Sequence, residues 1–354
     1  MGMEPSGREL LVVVIKGTYS IPQDGSEPQL LHEQVPLIDA DVYTGDPGFS
    51  APLYEVDYAP YKARCDVLLN GSAYAPNGKP AKKVPVKLRV GSMVKEFDVI
   101  GDRVWQVSKM GYTQSFPQPF TVMPISYDRA FGGSDDKHQD KNKHSAYMPN
   151  TIGCGYHVNS SQELMDGTPL PNTEERGKSV SLPAGKYRPM SFGVIARSWE
   201  PRYKLAGTYD QDWVDNVFPF LPADFNSDYY QAAPVDQQIN FLQGNEVVEL
   251  VNLTSQGRTV FHLPKNEIPV TFFLKKGGKE QKQAVADTLV LEPDLQRFTI
   301  SWRANLPLRK SIFEVIKVLA GNTGKERWRQ SMEDVFSTSS AKASTKLSDN
   351  SGIA

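Results

Sequence analysis

The 354-residue chain carries 39 Lys and Arg against 41 Asp and Glu, which gives a formal net charge of -2. Proteins that bind a nucleic-acid backbone usually have a basic excess or a basic stripe, so this balance argues against nucleic acid as a partner. Hydrophobic residues make up 39% of the chain, enough to build a core and to exclude global disorder. The 27 glycines and 26 prolines are scattered without a period, which is typical of many short strands joined by turns.

Cysteine usage and hydropathy predict a reducing compartment and no membrane span. Only Cys65 and Cys154 occur, and a chain of this size without a cysteine framework is typical of a cytoplasmic protein. No stretch reaches the roughly 18 apolar residues that a transmembrane helix needs. The apolar run 10–15 has neither a basic flank nor a small-residue cleavage site, so it predicts a strand and not a signal peptide. We expect a soluble protein of the cytoplasm.

The first three hundred residues predict a mainly β, antiparallel fold. Short alternating or apolar runs, each bounded by Gly, Pro, Asn or Asp, predict strands. Gly91 and Ser92 join two such runs, and glycine in the first position of a two-residue loop predicts a hairpin with a type II′ turn. We expect a sandwich-like or barrel-like domain over 1–305 with long ordered loops. The predicted strands are 10–19, 67–74, 84–90, 93–100, 246–253, 258–263, 270–274, 284–291 and 297–303.

Residues 128–245 differ from the rest because they show little periodicity. They are rich in Gly, Pro, Asn, Tyr and Trp, which in a folded protein is typical of ordered loops pinned by aromatic side chains. Such loops often carry the recognition surface. Within them, a short helix is predicted near 234–242, with Pro234 in its first turn.

Helical spacing is clear only towards the C-terminus. Two apolar stripes, over 312–319 and 328–336, are separated by a Gly-Asn pair that favours a helix end. We predict a helical segment over 306–336. The residues from 337 to 354 are dominated by Ser, Thr, Ala, Lys and Asp and predict a disordered tail.

The two helical stripes carry the residues that we predict to bind a partner. An amphipathic stripe either packs on its own domain or docks into a groove of another protein. The predicted partner-binding residues are Ile312, Ile316, Leu319, Trp328 and Met332.

The segment 135–157 offers the best candidate for a metal site. Cys154 and His157 have the spacing of a metal-binding pair, and His138 and His144 lie close in sequence. No second close pair accompanies them, and the neighbouring lysines favour a solvated loop, so we predict no metal and no cofactor. The candidate ligands are Asp135, Asp136, His138, Asp140, His144, Cys154 and His157.

The same Cys154 and His157 are the best candidates for a nucleophile and its base. A reactive thiolate needs a positive or helix N-terminal setting, whereas Cys154 stands between two glycines in a predicted loop. His32 begins a zincin-like motif, but Pro36 replaces its second histidine, and 321–326 departs from the phosphate-loop pattern at two positions. We therefore expect a protein that is not an enzyme.

An ordered series of motifs runs through the non-periodic middle and its flanks. Together these motifs resemble the bacterial family known as domain of unknown function 2169, over about 10–303. The chain departs from the family at Thr151, where proline is usual. The motifs are 66–75, 101–105, 123–133, 153–156, 170–172, 199–202, 205–210, Trp213, 221–225, 233–238 and 287–294.

The resemblance implies a function that no residue spacing indicates. Members of the family that the chain resembles are encoded beside type VI secretion spike proteins and polymorphic toxins, and act as adaptors. This implies a non-enzymatic adaptor or chaperone that binds its cognate toxic effector and helps load it onto the spike protein VgrG, with neither nucleic acid nor membrane as a partner. The alternative is a metal-dependent hydrolase, or a secreted toxin, that uses the 135–157 loop.

The residue types of the motifs make sense as a scaffold. Glycines at 132–133 and 153–155 allow tight loops, and large aromatic residues fix those loops by burial. Charged residues are suited to satisfy buried loop backbone. We therefore expect the motifs mainly to hold a loop-rich fold together, with direct partner contact as the alternative. The expected anchors are Tyr209, Trp199, Trp213 and Phe225, and the expected backbone partners are Asp128, Arg129, Arg202, Asp210 and Asp236.

Overall fold

The computed structural model describes residues 2–4, 7–23 and 25–321. The fold is mainly β, with 38% strand and 11% helix, as the sequence predicts. No helix in these ranges has the length and apolar character to cross a membrane. Contacts divide the chain into two units, the first formed by 1–266 with 285–311 and the second by 267–284 with the described residues from 312 onward.

The strands and helices follow one another in this order. Strands of the first half are β1 (Gly2–Met3), β2 (Glu9–Ser20), β3 (Val42–Tyr43), β4 (Pro52–Tyr54), β5 (Cys65–Leu69), β6 (Gly71–Tyr74), β7 (Lys83–Val90), β8 (Met93–Ile100), β9 (Trp105–Ser108), β10 (Gly111–Gln114), β11 (Val122–Ile125), β12 (Phe131–Gly132), β13 (Ser134–Asp135), β14 (Ser145–Ala146), β15 (Cys154–Gly155) and β16 (Thr173–Glu174). Strands of the second half are β17 (Gln238–Ile239), β18 (Val247–Val251), β19 (Arg258–His262), β20 (Pro269–Leu274), β21 (Lys279–Gln283), β22 (Val285–Glu292), β23 (Arg297–Pro307) and β24 (Val315–Ala320). The α-helices of the described residues are α1 (Gln162–Met165), α2 (Glu200–Tyr203) and α3 (Gln211–Asn216).

The larger sheet of the first unit has the strand order β1-β2-β23-β22-β5-β17. Its longest pairing joins β2 and β23 antiparallel, from Leu10 opposite Pro307 to Ser20 opposite Arg297. β22 is antiparallel to β23 but parallel to β5, which departs from the predicted antiparallel arrangement. Eight of the eleven residues of β23 are buried, as expected for a central strand that is covered on both faces.

The second sheet of this unit has the order β16-β8-β7-β18-β19. Its centre is the predicted hairpin, in which Gly91 and Ser92 connect β7 to β8. Gly91 has φ 57°, the positive value that the first position of a type II′ turn requires. Every second residue of β7 is buried, so the alternation that predicted the strand also defines its core face.

The loop-rich middle is held by two apolar clusters, as predicted. One contains Trp105 and Phe131, both fully buried, together with residues of the 165–180 segment. The other contains Tyr127 and Trp199, whose rings meet edge to face with centroids 5.1 Å apart. The helix predicted near 234–242 is smaller than expected: a 3-10 turn at Val235–Gln237 leads directly into β17, because Gln238 and Ile239 pair with β5.

The second unit contains the antiparallel sheet β21-β20-β24. The helix predicted over 312–319 is wrong: a 3-10 turn at Ile312–Glu314 is followed by strand β24. Three of the six residues of β24 are β-branched, and β-branched side chains favour strands when a partner strand is available. β20 supplies that partner, with Phe272 opposite Val318. The rest of the predicted helical segment, from 322, and the predicted tail over 337–354 lie outside the described residues.

Candidate functional site

An open cleft in the first unit is formed by segments that are far apart in sequence. It has a volume of about 670 Å³, and most of its exposed lining is apolar. A concave, mainly apolar surface with a few polar groups is the usual form of a binding site. The lining residues are Arg64, Lys95, Tyr127, Pro149, Arg188, Pro189, Ile195, Pro201, Arg202, Leu205, Asp228, Gln231, Ala233, Pro234, Val235, Asp236 and Gln238.

Arg202 of α2 connects three segments beneath the cleft. Its guanidinium donates to the carbonyl oxygens of Ile195 and Tyr229, at 2.8 and 2.7 Å, and to Glu55 Oε1 at 2.7 Å. The side chain is only 4% exposed, so these bonds compensate the desolvation of a buried charge. Arg202 therefore fixes the wall of the cleft and is not available to a ligand.

A buried carboxylate positions the opposite wall. Asp66 lies inside the apolar strand β5 and accepts hydrogen bonds from the backbone N–H groups of Ala232 and Ala233, at 2.8 and 3.2 Å. Gln231 Nε2 and Lys62 Nζ also donate to it, at 2.9 and 2.7 Å. With four donors, this carboxylate holds the 231–233 segment in place along the cleft.

Lys95 and Gln237 close the floor beside the 3-10 turn at Val235–Gln237. Gln237 donates to the carbonyl oxygens of Val67 and Phe192, at 2.6 and 3.0 Å, and accepts from Lys95 Nζ at 2.6 Å. Lys95 Nζ also lies 3.3 Å from Asp236 Oδ1. Burial lowers the pKa of Lys95 to about 8, because its effect exceeds the opposing effect of Asp236.

The charged rim of the cleft is paired within the protein. Asp236 binds Arg188 in addition to Lys95, and Arg64 lies 2.9 Å from Asp228. The exposed apolar part of the rim is Val235, whose side chain is 81% exposed at the start of the 3-10 turn. The cleft therefore offers a ligand apolar contact surface, while its charged groups already have partners.

A family model described as an uncharacterized protein conserved in bacteria (DUF2169) matches residues 6–303. The chain belongs to the DUF2169 family. No curated protein and no solved structure matches the chain. All cleft-lining residues fall inside the matched range, and several lie in the motifs that indicated the family, including 199–202 and 233–238.

The scaffold interpretation of the DUF2169 motifs is correct for some of the charged residues. Arg202 satisfies buried loop backbone as predicted, and Asp210 accepts the N–H of Trp213 at 2.9 Å as the N-cap of α3. Asp236 instead pairs with other side chains, as do Asp128, which accepts from Ser126, and Arg129, which donates to Asn172 at 3.1 Å.

The anchors that were missed are mostly neutral or lie inside a strand. Asn150 donates to the carbonyl oxygens of Tyr127 and Phe131, at 2.8 and 3.1 Å, and Gln237 ties β5 to the cleft floor. The anchoring role of Asp66 can be predicted from the sequence, because an acidic residue inside an otherwise apolar strand implies a buried partner.

The predicted positive φ is confirmed for three of the four motif glycines. Gly132, Gly133 and Gly155 have φ values of 152°, 103° and 91°, which L side chains rarely adopt. Gly153 is needed for a different reason, since a Cβ there would lie 2.4 Å from the carbonyl oxygen of Ala130.

The large aromatic anchors divide into two groups. Trp199 is 2% exposed and fully in the core, as predicted. Trp213 is half-buried and its indole Nε1 donates to the carbonyl oxygen of Phe220, so it fixes its loop as predicted. Tyr209 is 53% exposed, and the scaffold interpretation does not account for it. Phe225 is also half-buried and packs against Tyr230 with centroids 5.4 Å apart.

The 135–157 segment does not assemble its seven candidate ligands. Within the described ranges, no group of three or more His, Cys, Asp and Glu is placed to hold a metal ion. His138 Nδ1 accepts the N–H of Asp140 at 2.9 Å, and His144 Nε2 binds the carbonyl oxygen of His138 at 2.7 Å. These contacts order a local turn.

Asp135 anchors the neighbouring loop. It accepts backbone N–H groups from residues 158–160, of which Asn159 is nearest at 2.7 Å, and the hydroxyl of Ser160. Burial alone would raise the pKa of Asp135, but these hydrogen bonds outweigh it and lower the pKa. His157 Nδ1 lies 3.9 Å from Asp135 Oδ1, beyond hydrogen-bond distance.

Cys154 lies in the short strand β15, parallel to β12. Burial raises the pKa of its thiol to about 12, so the thiol is protonated near neutral pH. Burial also lowers the pKa of His157, whose Nε2 is 2.9 Å from the hydroxyl of Thr168. This setting does not favour a thiolate nucleophile.

Among the described residues, the predicted partner-binding residues do not line the cleft. Ile316 is 66% exposed in β24, Leu319 is half-buried opposite Thr271, and Ile312 begins the preceding 3-10 turn. Trp328 and Met332 lie outside the described residues. The partner-binding role of all five stays a prediction, although the helical stripe that suggested it is absent from the first three.

Proposed function

We propose that the chain is a non-enzymatic adaptor that binds a toxic effector protein and helps to load it onto the type VI spike protein VgrG. The single observation that carries the proposal is the open, mainly apolar cleft of about 670 Å³ built from DUF2169 motif segments. The partner classes are those implied by the resemblance of the motifs to this family, and the cleft supports the proposal because its shape and apolar lining suit a protein segment.

The cleft suits an extended protein segment with apolar side chains. Its arginine and lysine side chains are engaged by Asp228, Asp236 and Glu55, so a small charged ligand would have to break existing pairs. The apolar lining includes Ile195 and Leu205 as well as the exposed Val235. A few apolar contacts in such a pocket supply most of the energy of a protein interface.

Co-purification tests the proposal. The full chain is produced with the products of its neighbouring genes, and the proposal expects a stable complex with an effector encoded among them. Val235→Asp places a charge on the rim and is expected to reduce capture about tenfold or more, because a desolvated unpaired carboxylate is costly. Val122→Asp is the matched control, since Val122 is also exposed but does not line the cleft.

Two results would contradict the proposal. One is failure of the unaltered chain to retain either protein under conditions in which all are folded. The other is equal capture of the effector by the Val235→Asp and Val122→Asp variants, which would show that the effector does not bind in the cleft.

A further inference from the structure

The mostly exposed aromatic and apolar residues around α3 form a second surface, which the adaptor proposal does not use. This surface, called the aromatic patch below, lies within the first unit and does not line the cleft. Its members are Tyr209, Trp213, Val214, Phe218 and Phe220.

The patch is ordered by its own rings. Trp213 lies between Tyr209 and Phe218, with ring centroids 4.7 and 5.5 Å away, both edge to face. Its indole Nε1 donates to the carbonyl oxygen of Phe220 at 2.9 Å. The helix α3 has no fully buried residue, and Phe218 is 66% exposed. Contiguous exposed rings of this kind are uncommon on a surface that contacts only water.

Four carboxylates lie in the same chain segment as these rings, and none of them forms a salt bridge with a described residue. In 203–226 the acidic residues are Asp210, Asp212, Asp215 and Asp224, and the basic residue is Lys204, which pairs with Glu200. Among the described residues, none of the four carboxylates has a salt-bridge partner within 4.0 Å.

The donors that these carboxylates do have are neutral. Asp212 accepts from the side-chain amide of Asn216 at 2.8 Å, and Asp215 accepts from that of Gln211 at 2.9 Å. Asp224 accepts from the backbone N–H and the hydroxyl of Thr208. Neutral donors hold the carboxylates in place and leave their negative charge uncompensated.

We propose that the aromatic patch binds an arginine-rich protein segment. Guanidinium groups stack on aromatic faces and pair with carboxylates in a planar, bidentate manner, so one residue type satisfies both features of the patch. A lysine ammonium pairs with carboxylates but stacks less well. A purely apolar segment would leave the four carboxylates next to a dehydrated surface.

Labelled peptides titrated into the full chain test this inference by fluorescence anisotropy. The probes are 15-residue peptides of alternating Ala and Arg, Ala and Lys, Ala and Glu, and Ala and Ser. The Arg peptide is expected to bind most tightly and the Lys peptide about threefold to tenfold less tightly, with no binding of the other two. Affinity for the Arg peptide is expected to fall as salt rises, because the patch is exposed.

Matched variants assign the binding to the patch. Phe218→Ala is expected to weaken Arg-peptide binding about tenfold, whereas Phe116→Ala, at an aromatic residue exposed elsewhere, leaves it unchanged. Asp212→Asn with Asp215→Asn is expected to weaken it about fivefold. The control for this double variant is Asp136→Asn with Glu163→Gln. It removes the same two negative charges from exposed positions outside the patch.

Three results would overturn the inference. Equal binding of the Ser and Arg peptides would mean that charge plays no part. Equal weakening by the control and patch variants would mean that binding is spread over the surface. Self-association of the chain that Phe218→Ala abolishes would mean that a second copy covers the patch. Because the peptides and variants do not involve the cleft, this inference can fail while the adaptor proposal stands, and the reverse.

Discussion

At the scale of single residues, the cleft depends on buried charges that connect distant segments. Arg202 is the clearest case, because three different parts of the chain accept its hydrogen bonds. Arg197 binds the same Glu55 oxygen at 2.7 Å but is 38% exposed. The two arginines therefore share a partner and differ in burial, which makes them a matched pair.

Replacing Arg202 should lower the free energy of unfolding far more than replacing Arg197. We expect about 3–5 kcal/mol for Arg202→Met, because Glu55 and two carbonyl groups lose a donor. Arg197→Met should lower the free energy of unfolding by about 1 kcal/mol or less. Glu55 keeps its bond to Arg202, and water can replace the exposed guanidinium of Arg197. Urea denaturation followed by circular dichroism measures both. Similar losses for the two variants would show that burial is not what makes Arg202 important.

Lys95 gives the cleft floor a pH dependence of known sign. Its pKa is about 8 in the folded protein, below the usual 10.5, so between these values the unfolded chain binds more protons. The contribution of Lys95 to the free energy of unfolding should therefore rise as pH rises from about 8 to 10.5. Subtracting the free energy of unfolding of Lys95→Met from that of the unaltered chain isolates this contribution. A difference that is flat or falls over this interval would contradict the lowered pKa.

At the scale of elements, the sequence was informative where alternation or turn chemistry acts locally. The β7–β8 hairpin follows from its alternating side chains and from Gly91, and both are properties of neighbouring residues. The parallel β5–β22 pair and the strand β24 could not be foreseen, because each depends on a partner far away in the chain. For β24, the spacing of the apolar residues favours a helix and the β-branched side chains favour a strand. Pairing with β20 stabilises the strand.

The nature of β24 can be tested with one substitution. Val318→Ala should speed amide hydrogen exchange in β20, because Ala packs less well than Val in a strand, at a cost of up to about 1 kcal/mol. In a helix the same change would be neutral or stabilising. Exchange at Phe272, directly opposite Val318, is the most sensitive readout. Slower exchange in the variant would contradict the strand.

At the scale of the whole molecule, sequence patterns predict least about the structure of the loop-rich middle, 128–245. The sequence indicated ordered loops pinned by aromatics, and the burial of Trp199 and Phe131 confirms this. The cleft itself could not be predicted, because its lining comes from separate segments between 64 and 238. Residue type predicts Tyr209 as a buried anchor, but its ring is exposed, because burial cannot be read from residue type alone.

The adaptor proposal places the effector in the cleft, and amide hydrogen exchange of the full chain with and without the effector tests this most directly. Binding should slow exchange in the 231–238 segment, which forms one wall of the cleft and includes Val235. The β20–β21 strands, which do not line the cleft, should exchange at the same rate in both states. A stable complex that leaves exchange in 231–238 unchanged would contradict the account.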